Sequence, residues 1–400
     1  MATNSILQPQ YIARETLDIL TNNLVAASKV NRQFEPSFNK QGNTITVRKP
    51  NKFTVTNGAG LVIQDITEPS TTLTLSQQAQ TSFTFSSQEL TLTIEEFAER
   101  YLKPAAERLA NYIDQQVLAN WNQVFNEVGT PGTLPSSFTA ITPVAQRMDE
   151  GGVPQDGRTL CLGPAAYWAV VGGIATAQIL AQRATEPALK GFLINLASLD
   201  IYLDQNVGIQ TVGAYAGSGA VNGAGQTGSS LVTNGWTASI TGMLNVGDVF
   251  TIGSGSTGVF AVNPQTQQST GQLQNFVVTA VANSDSGGNS TIQIYPSITT
   301  TGAYQTVTAS PANGATITVK GAASTSYVQN LAFHRDAIAL VTAQLELPEG
   351  VDFAARETYR NISMRIVRQY DINQDTFPCR VDVLFGTSAF YPELAVRLTN

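Results

Sequence analysis

Between Ile94 and Val128 the chain repeats at steps of three and four, through Leu109, Tyr112, Ile113, Gln116, Val117, Trp121, Val124, Phe125 and Val128. That period lays one stripe along one face of a helix. Thr93 and Glu96 have the spacing of a capping box, and Glu95, Glu96 and Glu99 place negative charge where the helix dipole favours it. Gly129 and Pro131 close the pattern. A helix of that length reaches roughly 50 Å at 1.5 Å per residue, longer than most domains need. Pro104 lacks an N–H and crowds the preceding turn, so a kink, or two helices end to end, is expected there.

Around this helix the period changes. Tyr11, Ile12, Leu17, Ile19, Leu20, Leu24 and Val25 form a helical stripe, with Arg14, Glu15 and Asp18 turned outward. Gly42 to Val47 switches to period two, the strand signal, and a second alternating run carries Leu73, Leu75, Phe83 and Phe85 among Thr, Ser and Gln. Together they predict a long two-stranded flap with little apolar face of its own. An isolated hairpin is marginal in water, so the flap is expected to rest on something else, such as another subunit. Residues 130–204 read as mixed α/β, with a buried strand at Thr159–Leu162, helix around Tyr167–Leu180 and a strand at Leu199–Leu203. Near the end, Ile362–Tyr370 and Cys379–Phe385 alternate on either side of a short polar connection, which predicts an antiparallel pair. Folding about Gln374 and Asp375 places Val367 opposite Asp382, Arg365 on the diagonal, and Phe385 on an apolar face turned toward Tyr112, Trp121 or Phe125.

Charge adds a boundary that periodicity does not show. From Gln205 to Val319 there is no Lys, Arg, Glu or His, and the only acids are Asp248 and Asp285. Short β-rich runs punctuated by Gly and Asn turns fill the interval, as in a small sandwich or barrel inserted into the α/β part. Over all 400 residues the charged share is 13% and the net charge −7, which argues against a general nucleic-acid clamp because phosphate binding needs clustered Lys and Arg. No apolar run reaches membrane-spanning length, and MATNSILQPQ carries neither the basic nor the apolar stretch of a signal peptide. Cys161 and Cys379 are expected as two buried thiols rather than a disulfide framework.

Candidate chemistry is sparse. His334 is the single histidine and no G-x-S-x-G elbow accompanies it, so it reads as an ordinary surface residue. Gly217-Ser218-Gly219 with Gly223 is misspaced for a dinucleotide fingerprint, and the stretch to Ser230 reads as a flexible linker. Asp371, Asn373 and Asp375 imitate a calcium loop, but Thr376 stands where Gly is required, so a turn is expected. No enzyme emerges, and no cofactor or metal is predicted.

Several short stretches in order carry a resemblance: Gly42-Asn43-Thr44-Ile45, Ala105 to Asn111, Val246 to Ile252, residues 258–279 (GVFAVNPQTQQSTGQLQNFVVT), Asp371-Ile372, Cys379-Arg380-Val381, Gly386 and Pro392-Glu393. In this order the chain resembles the major coat proteins of short-tailed, Salmonella-type podoviruses, which carry the Hong Kong 97 capsid fold with an extra inserted domain. The resemblance implies an α+β capsid fold and a bacteriophage structural protein that forms hexamers and pentamers of an icosahedral shell around double-stranded DNA. It implies an N-terminal arm (1–41), an extended loop (42–92), a spine helix of the peripheral domain (93–129), an axial domain (130–224), an inserted β domain (225–322) and a return to axial and peripheral strands (323–400). A scaffolding protein and a portal are the implied assembly partners, with no sequence-specific DNA contact and no membrane, assembly in the host bacterial cytoplasm and a final place in the virion. Arg48, Lys49 and Lys52 at the base of the flap, and Arg365 and Asp382 on the outer face of the C-terminal sheet, are the expected inter-subunit contacts. A secreted or surface β-rich adhesin or carbohydrate-binding protein is the competing reading of the low charge and the Ser/Thr/Gly-rich interval.

Overall fold

The alternating runs pair, mostly antiparallel, and they do so in two separate units. A computed structural model describes residues 24–34, 42–55, 68–86, 103–176, 192–359 and 362–400, with isolated positions besides (Arg14, Leu17, Asn57, Gly58, Ile63 and Ile66). The first unit holds residues 1–47, 70–117 and 338–388; the second holds 48–69, 118–337 and 389–400. The capping box at Thr93 and Glu96, the opening of the long helix, and most of the N-terminal stripe lie outside the described residues.

In the first unit, strand Thr376–Ala389 is the centre of a five-stranded sheet. Ile362–Arg368 pairs with it on one side and Phe353–Tyr359 pairs with Ile362–Arg368 in turn. Gln77–Ser86 pairs with Thr376–Phe385 over its full length. The run containing Phe83 and Phe85 is thus a sheet strand rather than the second half of the flap, because a partner with a matching apolar face is available to it. The C-terminal hairpin exists, but Arg365 lies directly opposite Asp382 and Val367 opposite Arg380. The turn centres on Asn373 and Gln374, closed by the Asp371–Thr376 bridge, two residues of register from the expected pairing. A shift of two leaves every side chain on its expected face. Val381, Val383 and Phe385 are therefore fully buried as the alternation requires. Helix Lys103–Leu118 contributes Tyr112, whose ring meets Phe385 edge-on at 6.1 Å, and its buried Asp114 accepts from the backbone N–H groups of Val25 and Ala27 at 2.7 Å each.

The long helix does not run to Val128. It gives way after Leu118 to a 3₁₀ segment, Ala119–Gln123, and Val124 is already extended. Asn120 and Asn122 are weak helix formers, and Val124 and Phe125 lose rotamer freedom in a helix. Glu127 and Val128 instead pair in parallel with Arg397 and Leu398. Trp121 and Phe125 consequently belong to the second unit rather than to the sheet around Phe385.

The second unit is built on two larger sheets. One is a mixed sheet ordered Glu127–Val128, Ala395–Thr399, Ser326–His334, Arg158–Leu162, Leu199–Leu203, Phe192–Leu196, with Gly208–Thr211 also paired to Ser326–His334. Helices Phe138–Glu150 and Pro164–Thr176 cover it through Ile141, Val144, Met148, Tyr167 and Val170. The other is a six-stranded sheet ordered Ile317–Val319, Val249–Ile252, Asn275–Val278, Ser290–Ile298, Gly228–Trp236, Gly217–Val221. Its two edges meet: Val221 N–H donates to Ala315 O at 2.9 Å and Gly314 N–H to Val221 O at 2.8 Å, closing a barrel around Phe250, Phe276, Leu231, Ile292 and Trp236. The glycine stretch expected as a linker supplies two of these strands. Gly219 is glycine because a Cβ there would stand 2.2 Å from the Trp236 indole.

Phe385 tests the register directly. Phe385→Ala is expected to lower stability by about 3–5 kcal/mol, the usual cost of truncating a fully buried phenylalanine. Urea unfolding of the free subunit measures it, and a midpoint equal to wild type contradicts the packing described.

Candidate functional site

The flap is a ribbon in which Thr44–Arg48 faces Ser70–Thr74. Leu75 N–H donates to Asn43 O, and Lys49 N–H to Pro69 O, at 2.7 Å each. Its exposed positions are mostly Thr and Ser, while Ile45 and Val47 on the alternate face are half-buried and Leu73 is fully buried. Beyond it the apolar side chains face outward: Phe53 is 62% exposed, Val55 99%, Ile63 84% and Ile66 68%. Four large apolar groups on one short excursion are more than scattered surface hydrophobics.

The three cations of the flap have different surroundings. Arg48 is exposed and pairs with Glu68 at 3.0 Å across the ribbon. An exposed pair of this kind contributes about 0–1 kcal/mol. The Lys49 ammonium sits 4.6 Å from the Tyr391 ring centroid and 5.6 Å from that of Phe390. Burial pulls its pKa down, Glu393 opposes that, and Lys52 adds to it. Lys52 donates its backbone N–H to the Tyr304 hydroxyl at 3.2 Å and holds its ammonium 5.9 Å from the same ring.

Arg365 and Asp382 are brought together in the first unit. Arg365 donates from Nε at 3.0 Å and from Nη2 at 2.7 Å to the fully buried Asp382 carboxylate. Gln78 Nε2 adds a hydrogen bond at 2.8 Å, and the Arg380 guanidinium stands 3.0 Å away. Alternation alone places these residues on an outer face, but strand Gln77–Ser86 lies alongside and its Gln78 closes over the carboxylate.

The largest buried charge cluster among the described residues is one that the sequence pattern does not announce. Arg397, fully buried in the C-terminal strand, donates from Nη1 to Gln210 Oε1 at 3.0 Å and to Gly247 O at 2.9 Å. Glu127 lies 3.7 Å from its Nη2, and the guanidinium covers the Trp121 ring at 5.5 Å. Asp248 of the barrel accepts from Gln210 Nε2 at 2.5 Å and from the N–H groups of Gly213 and Asn245 at 2.9 and 2.7 Å. Burial pushes the Asp248 carboxyl up against those bonds and the Arg397 charge. Lys320, at the far end of the barrel sequence, donates to the Glu127 carbonyl, and burial lowers its pKa to about 8, with Glu127 resisting. The available signals are that Asp248 is one of two acids in an uncharged stretch and that Arg397 interrupts an apolar strand.

The remaining candidates fall into structural roles. His334 is buried at the end of its strand, not on the surface, and its Nδ1 accepts from Asp336 N–H at 3.2 Å. Asp371 caps a turn by accepting from Asn373 N–H at 2.9 Å. Cys161 and Cys379 are buried thiols, the second pushed up to about 11 by burial.

The buried carboxylates Asp382 and Glu127 face arginines of their own chain, and large apolar side chains stand exposed on the flap segment. A model of the family described as "P22 coat protein - gene protein 5" matches residues 1–399, and the chain belongs to that family. It is a major capsid protein, a structural subunit of an icosahedral phage shell, and its place is in the virion. Its chain is similar over 94% of its length to a structure from Mycobacterium phage Che8 (13% identity, 90% of that chain, TM-score 0.47). It is similar over 93% to the capsid of Ralstonia phage GP4 (8%, 87%, 0.45), and over 97% to a virus-like particle from Pyrococcus furiosus (9%, 97%, 0.41). These likenesses are faint, and the family assignment rests on the sequence match. A comparison with curated proteins returns no match.

Lys320 gives a test in pH. Its pKa is 10.5 ordinarily and about 8 in the fold, a difference equivalent to roughly 3 kcal/mol. Below pH 8 both states carry the charge, and the fold bears the cost of keeping it from water. Between pH 8 and 10.5 the folded chain releases the proton first, so stability rises with pH. Wild type should therefore gain on Lys320→Met by that order across the window, measured by denaturant midpoints. A constant difference contradicts the burial of a charged lysine.

Proposed function

We propose that the flap, residues 44–74, is the element by which one copy of the chain grips the next in the shell. The observation that carries this is the set of exposed apolar side chains Phe53, Val55, Ile63 and Ile66 beyond the paired part of the ribbon. Burying each on a neighbour is worth about 1.5–3 kcal/mol before association costs, more than any exposed ion pair supplies. Arg48, Lys49 and Lys52 add charge beside those apolar groups and select an acidic rim. The Arg365–Asp382 pair, already satisfied within its sheet, stiffens the part of the subunit that a neighbour would meet.

The same reading gives the rest of the chain its place. The coat subunits form hexamers and pentamers in the arrangement of the Hong Kong 97 capsid fold, as in Salmonella-type podoviruses. Helix Lys103–Leu118 is the spine of a peripheral domain, the mixed sheet is the axial domain, and residues 225–322 are a β domain inserted into it. A scaffolding protein and a portal guide assembly in the host cytoplasm, and double-stranded DNA is enclosed without sequence-specific contact. The net charge of −7 fits that last role, because a shell that held its genome tightly would impede packaging and release. Family membership removes the support for an adhesin.

Expression of wild type and of Phe53→Ser/Val55→Ser tests the proposal by electron microscopy. Wild type should give shells whose map shows capsomers with a ribbon crossing to the adjacent subunit. The double variant should keep the melting temperature of the free subunit, since exposed substitutions stay within about 0.5 kcal/mol, yet lose most particles. Normal shells from it, or a ribbon that stays on its own subunit in the map, overturn the role given to the flap.

A further inference from the structure

The exposed apolar groups and the cations of the flap are not in the same state. The apolar groups are uncovered, whereas two of the three cations are already engaged by aromatic rings of their own chain. Lys49 lies over Tyr391 and Phe390, whose rings meet edge-on with centroids 4.7 Å apart, and Glu393 supplies the opposite charge. Tyr391 is fixed by its backbone N–H donating to Ala337 O at 3.0 Å. Three residues further along, Lys52 meets Tyr304 twice, through its backbone N–H and its ammonium. Pro50 stands between the two lysines and limits the backbone there, so the two contacts act on one short segment.

We propose that these contacts form a two-point aromatic clasp that holds the flap against its own subunit, and that the clasp opens when the flap engages a second copy of the chain. The proposal rests on the flap being the gripping element. The strengths are suited to such an exchange. A cation–π contact biases an equilibrium by roughly two- to thirtyfold, according to how far it is desolvated. Covering one large apolar side chain biases it by roughly ten- to a hundredfold. Two clasps thus restrain the flap of a lone subunit, and burial of Phe53, Val55, Ile63 and Ile66 on a neighbour outweighs them. The lysines, once released, are free to meet the neighbour as well. Until a neighbour is present, the clasp keeps the flap from sampling orientations in which its apolar groups would meet other copies at random.

The test alters the aromatic side of the clasp, so that the lysines and the apolar tip stay intact for the neighbour. Tyr391→Leu and Tyr304→Leu each remove one ring, and Tyr304, in a loop, serves where the other change disturbs folding. In free subunits, limited trypsin digestion reads cleavage after Arg48 and Lys52. Each variant should be cut roughly five- to thirtyfold faster than wild type, and should assemble with a shorter lag when subunits are mixed under shell-forming conditions. Unchanged cleavage overturns the clasp. Faster cleavage with slower assembly overturns its release, because the contacts would then be orienting the flap rather than restraining it. Cleavage is read on subunits that have not assembled, so failure of the flap as gripping element leaves this readout standing and the two outcomes remain distinct.

Discussion

One buried charge organises the second unit. The guanidinium of Arg397 has no access to water, and leaving such a group without partners costs several kcal/mol. Its partners come from three distant segments: Trp121, whose ring it covers, with Glu127 after the helical region, Gln210 before the barrel, and Gly247 within the barrel. The cluster can form only when the closed barrel and the mixed sheet are both in place. Asp248 then ties Gln210 to the backbone of Gly213 and Asn245, and Lys320 returns to Glu127 on the way out of the barrel. A stretch without any other charged residue but Asp285 thus keeps one acid where the sheet needs it and excludes charges that would compete.

The first unit uses the same device on a smaller scale. Asp382 sits within a sheet strand flanked on both sides, and Arg365 and Gln78 reach it from the two flanking strands. In both charge sets the acids are met by donors of their own chain. Their effect is mechanical, tying neighbouring strands together, and the flap proposed as the gripping element lies outside both. For a protein that must present the same surfaces in many copies, fixed interiors and one adaptable extension are a coherent division.

Local periodicity made much of the fold legible. The alternation through Ile362–Arg368 and Val381–Phe385 gave the correct inner face even though the turn was placed one position late, because an even slip preserves the side of every residue. Four of the six barrel strands are readable from β-branched runs between glycine turns. Elements decided by distant contacts were not. Trp121 and Phe125 fit a helical stripe as well as Leu109 does, yet Arg397 and Leu398 draw the following residues into a sheet. The glycines from Gly217 onward look like a linker unless one knows that the Trp236 ring lies against Gly219. Among site residues, Arg48, Lys49 and Lys52 are visible as a cluster along the chain, but the ring that receives Lys52 is 252 positions away and those that receive Lys49 are farther still. Arg397 and its hydrogen-bonded partner Gln210 are 187 positions apart, beyond any pattern visible along the chain.

The dependence of the second unit on this charge is measured most directly by a double-mutant cycle between Arg397 and Glu127. Arg397→Met and Glu127→Gln, alone and together, are unfolded in denaturant as free subunits, with Trp121 fluorescence reporting beside the guanidinium. Each single change leaves the other charge buried without its counterpart, so the double variant should be less destabilised than the two singles combined, by about 1–3 kcal/mol. Strict additivity of the two changes would contradict the account, because it would mean that the buried charges do not depend on one another.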